Sequence, residues 1–360
     1  METIVGPDGG HYAHRVADDD AAPGRDSAFD PSLLIDVASG FLFEGGASLT
    51  QRQVAERAGV DLELANALWR YLGFPATGDD EVAFTEADVE AVRTTKRLLD
   101  LQVMTPEQLP QFVRSLGRTY ARLADWQTRV LLSTLAHSER RGTTDAEPAL
   151  DVVAEVIPLV EQVQGYVWRR HLLAAASRIA LRDVEPDSAE QVVVGFVDIV
   201  GYTSRSRQMS TRALGDMVEW FERVVFELVV AHGGQVVKTI GDEALFIVDD
   251  PVEAARLALE LVERAGVDEA FPEVRVGLAY GTVLARVGDV FGSTVNLAAR
   301  LTSLTRPSRV LVDAALADLL REHDDTLRLR RTRRTSVKGF SSVEPWALTR
   351  RRSVEARERS

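Results

Sequence analysis

Length, composition and charge exclude several classes of protein. The chain has 360 residues, which is enough for two domains that each bury a core. Its net charge of −13 argues against broad non-specific binding to nucleic acid or anionic lipid, and the absence of cysteine excludes disulfides and thiolate metal sites. Because the sequence has neither a signal peptide at its start nor an apolar run of about 18 residues, we expect a cytoplasmic protein that does not enter the membrane.

The first half of the sequence has a helical character. Residues 1–30 are rich in Gly, Asp, Ala and Pro, which predicts disorder. Residues 31–182 carry apolar side chains at helical spacing, which predicts an all-helical domain. Within it, residues 49–75 are predicted to form two short helices joined by a glycine-containing turn, and residues 158–182 to form one long helix that joins the two halves of the chain.

The segment 49–75 resembles the helix-turn-helix of MerR-type DNA-binding domains. The helix that would enter the major groove begins with Asp61 and Glu63, however, and Arg70 is its only basic residue. Acidic side chains at these positions repel the phosphate backbone. We therefore expect an interaction module in this region and not a DNA-binding domain.

One histidine in the predicted joining helix is a candidate regulatory residue. His171 follows Arg169 and Arg170, and a free histidine side chain titrates near pH ~6.5, where it can act as a pH sensor. The alternative interpretation is a packed histidine without a regulatory role.

The second half alternates strands and helices around a hairpin. The run VVVGFVDIV predicts a buried strand, and VVKTIGDEALFIV, at 236–248, predicts a hairpin with a Gly-Asp tip. Since the hairpin interrupts the alternation, residues 190–349 fit a ferredoxin-like α+β fold and not a doubly wound sheet. Residues 350–360 are predicted to form a disordered tail.

Two acidic residues of this second half are candidate metal ligands. Asp198 ends the first strand and Asp242 lies at the hairpin tip, and in a ferredoxin-like sheet these two positions converge. Two carboxylates without histidine or cysteine suit a hard cation such as Mg²⁺, with substrate phosphates as further ligands. The alternative makes Asp198 a helix-capping residue and Asp242 a turn residue.

Lysine is rare in this sequence and therefore informative. Of the 42 basic residues, only Lys96, Lys238 and Lys338 are lysine. Further along the chain, Asn296 and Arg300 stand at i and i+4 and so share one face of a predicted helix. The alternative for this pair is the solvated face of an amphipathic helix.

Four segments, FVDIVGYTS, KTIGDEALF, DVFGSTVNLAAR and VKGF, follow one another in this order. Together they resemble the catalytic domain of class III nucleotide cyclases, and the resemblance covers residues 190–349. It implies that a nucleoside triphosphate is cyclised in a head-to-tail homodimer that uses two divalent metal ions, Mg²⁺ or Mn²⁺. The whole chain is similar to bacterial adenylate cyclases with a helical regulatory domain, some of which respond to pH, and this implies regulation by the first half. Because His171 lies in the joining helix, we hypothesise autoinhibition: the first half restrains the second until protonation releases it.

The resemblance also implies a role for each matching residue. The implied metal ligands are Asp198, the backbone carbonyl of Ile199, and Asp242. The implied substrate contacts are Lys238 and Asp289 for the base, Asn296 and Arg300 for the ribose and the transition state, and Lys338 for the terminal phosphates.

The implied base contacts favour ATP as the substrate. Lys238 can donate to N1 of adenine and Asp289 can accept from the amino group, whereas guanine presents the opposite pattern. A guanylate cyclase and a nucleotide-sensing homologue with little turnover are the alternatives. Thr282 stands where many relatives carry a basic phosphate contact, and Arg275 or Arg286 is the candidate substitute.

Overall fold

A computed structural model describes residues 42–43, 46–139, 146–182, 190–286, 288–337 and 340–351. The chain divides into two compact units, Met1–Leu172 and Leu173–Ser360. The predicted disorder of residues 1–30 lies outside the described residues, as does most of the predicted tail 350–360. Arg350, however, is the last residue of a strand and pairs with Leu327, so the predicted start of the tail was wrong.

The first unit is built mainly from helices. Its core gathers the first three helices and the start of the fourth, and Trp69 packs on Phe84 with ring centroids 4.5 Å apart. This unit also contains a short pair of antiparallel strands. The prediction of an all-helical domain missed them, because strands of two and three residues are too short to show a periodic pattern. The elements are α1 (Gln51–Ala58), α2 (Leu62–Leu72), α3 (Glu86–Asp100), α4 (Leu109–Glu139), α5 (Ala146–Arg182), β1 (Leu49–Thr50) and β2 (Val82–Phe84).

The two short helices of the helix-turn-helix segment form as predicted. Thr50 caps α1 in a capping box with Gln53, and Gly59 ends the helix in the left-handed conformation with φ 67°. Such a φ favours glycine, which has no Cβ to clash with the backbone. The helix α2 then begins after Asp61.

The joining helix is longer than the sequence predicted. It begins at Ala146 and contains Pro158, which the sequence analysis had placed at its start. Proline is favoured in the first turn of a helix and costs a hydrogen bond in the interior, so the sequence signal pointed to the wrong boundary. The helix continues without interruption through Gly165, and its His171 side chain is exposed rather than packed.

The second unit carries a large mixed sheet. Along the sheet the strands follow the order β4-β5-β3-β6-β8-β12-β9, with β7 paired to β6, and a separate hairpin joins β10 to β11. The strands are β3 (Glu190–Ile199), β4 (Gln235–Ile240), β5 (Glu243–Val248), β6 (Val274–Arg286), β7 (Asp289–Phe291), β8 (Val310–Val312), β9 (Leu327–Arg331), β10 (Thr335–Val337), β11 (Phe340–Val343) and β12 (Trp346–Arg350).

Helices cover both faces of this sheet. The helices are α6 (Tyr202–Ser206), α7 (Thr211–Ala231), α8 (Pro251–Arg264), α9 (Ser293–Leu304) and α10 (Ala314–His323). The segment β3-α7-β4-β5-α8-β6, in the spatial order β4-β5-β3-β6 and with all neighbouring strands antiparallel, is the predicted ferredoxin-like unit.

The central strand β3 separates two hydrophobic cores. Val193 and Val197 pack in the core that contains α7, α8 and α10, whereas Val192, Val194 and Phe196 pack in the core that contains α9. This alternation follows from the two-residue period of a strand. Among the described residues, no helix combines the length and the hydropathy that crossing a bilayer requires.

Candidate active site

The end of β3 and the tip of the β4–β5 hairpin meet. Asp198 is paired in register with Glu243 of β5 on one side and with Arg275 of β6 on the other. The backbone N–H of Ile199 donates to the carbonyl oxygen of Asp242 over 3.0 Å, which fixes the strand end against the hairpin tip. The structure therefore brings the three predicted metal ligands together.

A tight turn forms the hairpin tip. The register pairs Ile240 with Glu243, so the loop consists of Gly241 and Asp242, as predicted. Gly241 has φ 66°, the left-handed value that the first loop position of a two-residue hairpin requires. This turn holds Asp242 beside Asp198, as the sequence predicts.

Three carboxyl groups crowd this corner of the sheet. Burial raises the pKa of Asp198, which is 8% exposed, although the Arg275 guanidinium opposes the shift and the neighbouring Asp242 adds to it. Burial, followed by repulsion from Asp198 and Asp242, raises the pKa of Glu243 to about 7. Glu243 was missed by the sequence analysis, although it directly follows Asp242 and the pairing of two acids was a visible signal.

Arg275 partly compensates this negative charge. Its Nε donates to Asp198 Oδ2 over 2.5 Å, and a second guanidinium nitrogen contacts the same oxygen. Of the two arginines proposed to replace the basic group missing at Thr282, Arg275 is thus the one seated beside the predicted metal ligands. Arg286 lies instead at the far end of β6, in register with Asp289.

Asp198 does not cap a helix. The next helix, α6, starts at Tyr202 after Gly201, and no side chain caps its first turn. The alternative interpretation of Asp198 as a capping residue is therefore wrong.

Lys238 and Asp289 form an ion pair within one chain. Lys238 Nζ lies 2.5 Å from Asp289 Oδ2, and the two side chains are 38% and 29% exposed. The register of β4 against β5 shifts between Val236 and Lys238, and such a bulge re-aims the side chains that follow it. Asp289 is itself held by the backbone N–H of Val290, which donates to its Oδ1 over 2.9 Å.

Asn296 and Arg300 lie on the exposed side of α9. The helix is seated very closely on β6, because a Cβ at Gly277 would collide with the backbone nitrogen of Thr302, and a Cβ at Gly281 would lie 2.8 Å from Thr294 Oγ1. Glycine at these two positions therefore sets the height of α9 above the sheet.

The structure thus arranges the predicted residues in three groups within one chain. Asp198, Ile199 and Asp242 form the first group, Lys238 and Asp289 the second, and α9 carries the third. Within the described residues, no hydrogen bond or ion pair links the side chains of the third group to the other two. Lys338, the predicted contact for the terminal phosphates, lies outside the described residues.

The donor set at the end of β3 fits a divalent cation. Carboxylates and a backbone carbonyl are hard oxygen ligands, and a bound cation would offset the burial and the repulsion from Asp242 that raise the pKa of Asp198. No group of three or more His, Cys, Asp or Glu side chains in the described part of the chain is arranged to hold a metal alone. Mg²⁺ commonly binds to one or two carboxylates and takes its further ligands from substrate phosphates and water.

Comparisons with known proteins bear on both units. A model of the adenylate and guanylate cyclase catalytic domain matches residues 184–350, and a model of the adenylate cyclase regulatory domain matches residues 26–173. An adenylate cyclase of Streptomyces coelicolor is 40% identical over 97% of this chain and 97% of its own length. The chain belongs to the class III adenylate cyclase family. The predicted enzyme class and the predicted fold are therefore confirmed.

Two further relatives extend this similarity. An adenylate cyclase of Glutamicibacter nicotianae is 37% identical over 91% of this chain and 86% of its own length. A protein of Mycobacterium tuberculosis named as a pH-sensitive adenylate cyclase is 31% identical over 83% of this chain and 76% of its own length. Each similarity spans both units, so the pairing of a helical unit with a cyclase unit is shared with these relatives.

Proposed function

We propose that this enzyme converts ATP to 3′,5′-cyclic AMP and pyrophosphate in the cytoplasm. The observation that carries the choice of ATP is the ion pair between Lys238 and Asp289. The ammonium donates to N1 of adenine and the carboxylate accepts from the amino group, whereas guanine would meet a donor with a donor and an acceptor with an acceptor. Because the pair forms before substrate binds, little reorganisation is needed to receive the base.

The proposed reaction forms one phosphorus–oxygen bond and breaks another. The ribose 3′-oxygen attacks the α-phosphorus and loses its proton, and the bond from the α-phosphorus to the bridging oxygen breaks as pyrophosphate leaves. Two divalent ions, Mg²⁺ or Mn²⁺, would lower the pKa of the 3′-hydroxyl and neutralise charge on the α-phosphate. Asp198, the Ile199 carbonyl and Asp242 would hold them.

The residues of α9 act on the ribose and on the developing charge. Asn296 orients the ribose by hydrogen bonding, and the Arg300 guanidinium stabilises the charge on the five-coordinate phosphorus. Lys338 contacts the terminal phosphates. Arg275 stands beside Asp198 and supplies positive charge to the same end of the substrate, in place of the basic residue that is missing at Thr282.

The proposed catalytic form is a head-to-tail homodimer. Asp198 and Asp242 of one chain face Lys238, Asp289, Asn296 and Arg300 of the partner chain across the interface. This arrangement gives the exposed α9 residues a substrate to contact, and a two-fold axis generates two equal sites.

The direct test is the product formed by the purified full-length chain. With ATP and Mn²⁺ or Mg²⁺ we expect cyclic AMP and an equal amount of pyrophosphate, and with GTP we expect far less cyclic nucleotide. Preferred turnover of GTP would identify a guanylate cyclase. Nucleotide binding without any cyclic product would identify a nucleotide sensor, and either result contradicts the proposal.

We also propose that the first unit restrains the second and that acidification releases it. His171 supports this proposal because it is exposed on the long helix α5, where protonation adds charge without requiring unfolding. Activity of the full chain should rise on acidification, and residues 184–360 alone should lack this rise. The His171→Gln variant of the full chain should have a flat profile. Equal pH profiles of the full chain and residues 184–360 would contradict the regulation, and an unchanged profile of His171→Gln would contradict the role of His171.

A further inference from the structure

A groove of about 750 Å³ lies at the end of the sheet formed by β8, β12 and β9. The predicted metal ligands lie near the opposite end, on β3 and at the β4–β5 tip. The groove opens on the face that α9 covers, because its floor includes Leu311 of β8, which packs in the α9 core together with Ala347 of β12. It is built within the second unit alone.

Arginine side chains surround this groove. Arg306 and Arg309 come from the loop between α9 and β8, and Arg328 and Arg330 stand two residues apart on β9 and so point to the same side of the sheet. All four residues are exposed. No acidic residue is among those that line the groove.

These four guanidinium groups have no ion-pair or hydrogen-bond partner among the described residues. Their neighbour Arg331 differs, since it pairs with Glu344 and lies 5.9 Å from the centre of the Trp346 ring. In a chain with a net charge of −13, carboxylates are abundant, yet none from the part of the chain that the structure describes pairs with these four arginines. Such a cluster of unpaired like charges is a site for a multiply charged anion.

We propose that the arginine groove binds a small polyphosphate anion, which is a molecule with two or more linked phosphate groups. Guanidinium groups bind phosphate oxygens in pairs, and several of them match the several charges of such an anion. The volume of the groove lies within the usual range of small-molecule sites, roughly 300–1,000 Å³. A nucleic acid would extend beyond the groove onto a chain of net charge −13, which would repel it.

The apolar floor distinguishes two sources of this anion. The exposed Leu304 and the half-buried Ala347 offer an apolar surface on which a flat base can lie, so a nucleoside polyphosphate would contact both this surface and the arginines. Inorganic polyphosphate would use the arginines alone. The proposal is independent of the proposed cyclase reaction, because none of the groove residues is assigned to that chemistry.

The test is calorimetric titration of the full-length chain with inorganic tripolyphosphate and, separately, with ATP. Chelator keeps divalent ions away from the catalytic site, and salt is held at about 0.15 M to screen weak surface attraction. The groove variant carries Arg328→Gln and Arg330→Gln. The control variant carries Arg118→Gln and Arg122→Gln, which removes the same number of charges from exposed positions on α4.

We expect tripolyphosphate to bind, with affinity reduced roughly tenfold or more in the groove variant and unchanged in the control. Tighter binding of ATP, lost in the same variant, would identify a nucleoside polyphosphate as the ligand. Absence of binding, or equal weakening in both variants, would overturn the proposal. So would binding that survives in the groove variant but is lost in Lys238→Ala, because that result places the ligand in the catalytic site.

Discussion

Two buried aspartates of the same sheet have opposite surroundings. Asp198 near the end of β3 and Asp313 just after β8 follow similar apolar runs, and they are 8% and 7% exposed. Burial raises the pKa of both carboxyl groups. By sequence and by burial the two residues look alike.

The two carboxyl groups differ in their hydrogen-bond partners. Asp313 Oδ1 accepts hydrogen bonds from the backbone N–H groups of Tyr280 and Leu316, over 3.1 and 3.2 Å, and so caps α10. Among the described residues, the Asp198 carboxylate accepts hydrogen bonds only from the guanidinium of Arg275, and its other close neighbours are carboxyl groups. A buried carboxylate that is satisfied by backbone donors needs no further ligand, whereas Asp198 has one guanidinium partner among two further carboxyl groups, and this surplus of negative charge supports the proposal of a cation site at the end of β3.

The largest expected effect is the loss of activity when Asp198, but not Asp313, is replaced by a neutral residue. Asp198→Asn should lower the rate of cyclic AMP formation by on the order of 10³-fold, because a metal ligand is worth several kcal/mol of transition-state stabilisation. We also expect Mn²⁺ to raise the melting temperature of the wild-type chain but not that of Asp198→Asn. Asp313→Asn is the matched control, and it should retain both activity and the Mn²⁺ response. Equal losses in the two variants would contradict the distinction.

A second prediction concerns the close packing of α9 on the sheet, because α9 carries the proposed catalytic residues Asn296 and Arg300. In Gly277→Ala the added methyl group would collide with the backbone of Thr302, so α9 must move away from the sheet. We expect roughly a 100-fold loss of turnover, the size that a displacement of about 1 Å can cause, together with a stability loss of about 1–3 kcal/mol. Gly215→Ala is the control, since nothing lies within 4 Å of a Cβ at that helical position. Wild-type turnover in Gly277→Ala would contradict the prediction that the close packing of α9 on the sheet is needed for activity.

A third prediction compares the Lys238–Asp289 ion pair, the proposed contact for the base, with an ordinary surface ion pair. Lys238→Ala should reduce kcat/KM for ATP by about 10- to 150-fold, since a hydrogen bond to a charged group contributes roughly 1.5–3 kcal/mol. Lys96 also pairs with an aspartate, Asp100, over 2.7 Å, but on the surface of α3. Lys96→Ala should therefore leave kcat/KM within about twofold of wild type. If both variants lose the same activity, Lys238 does not read the base.

The smallest effect is on stability and concerns Asp313. Its folded-state pKa lies above the ordinary value, so the protonated form is favoured in the folded protein. The associated stability is present at pH values below the unfolded pKa and is lost as the pH rises through the folded pKa. Asp313→Asn keeps an acceptor oxygen, so its free energy of unfolding should increase relative to that of the wild type as the pH rises from acidic to neutral. Urea unfolding of the wild-type protein and of Asp313→Asn at several pH values measures the difference in their free energy of unfolding. A difference that does not change with pH would contradict the prediction.

The sequence was sufficient for the main features of the catalytic unit. The alternation around VVKTIGDEALFIV predicted the ferredoxin-like arrangement, and the positions of Asp198 and Asp242 followed from it. Local patterns specify these features, because strand period and turn chemistry act over a few residues.

Other features depend on contacts between distant parts of the chain. The pairing of Arg275 with Asp198 depends on strand register, and the bulge before Lys238 leaves no mark in the residue pattern. The distinction between Asp198 and Asp313 depends on which backbone groups reach each carboxylate. The start of α5 was misplaced because Pro158 is a local signal that the longer helix overrides.

The central claim is that each catalytic site is shared between two chains, and mixing two inactive variants tests it most directly. Asp198→Ala and Arg300→Ala should each be inactive as homodimers. After subunit exchange, half of the dimers formed at random are mixed, and each mixed dimer holds one site with neither substitution and one with both.

Cyclic AMP formation should then recover to about a quarter of the wild-type rate per chain if the two sites act independently. Co-purification of two differently tagged variants verifies that mixed dimers are present. If such verified mixed dimers remain inactive at every mixing ratio, the shared-site account is contradicted.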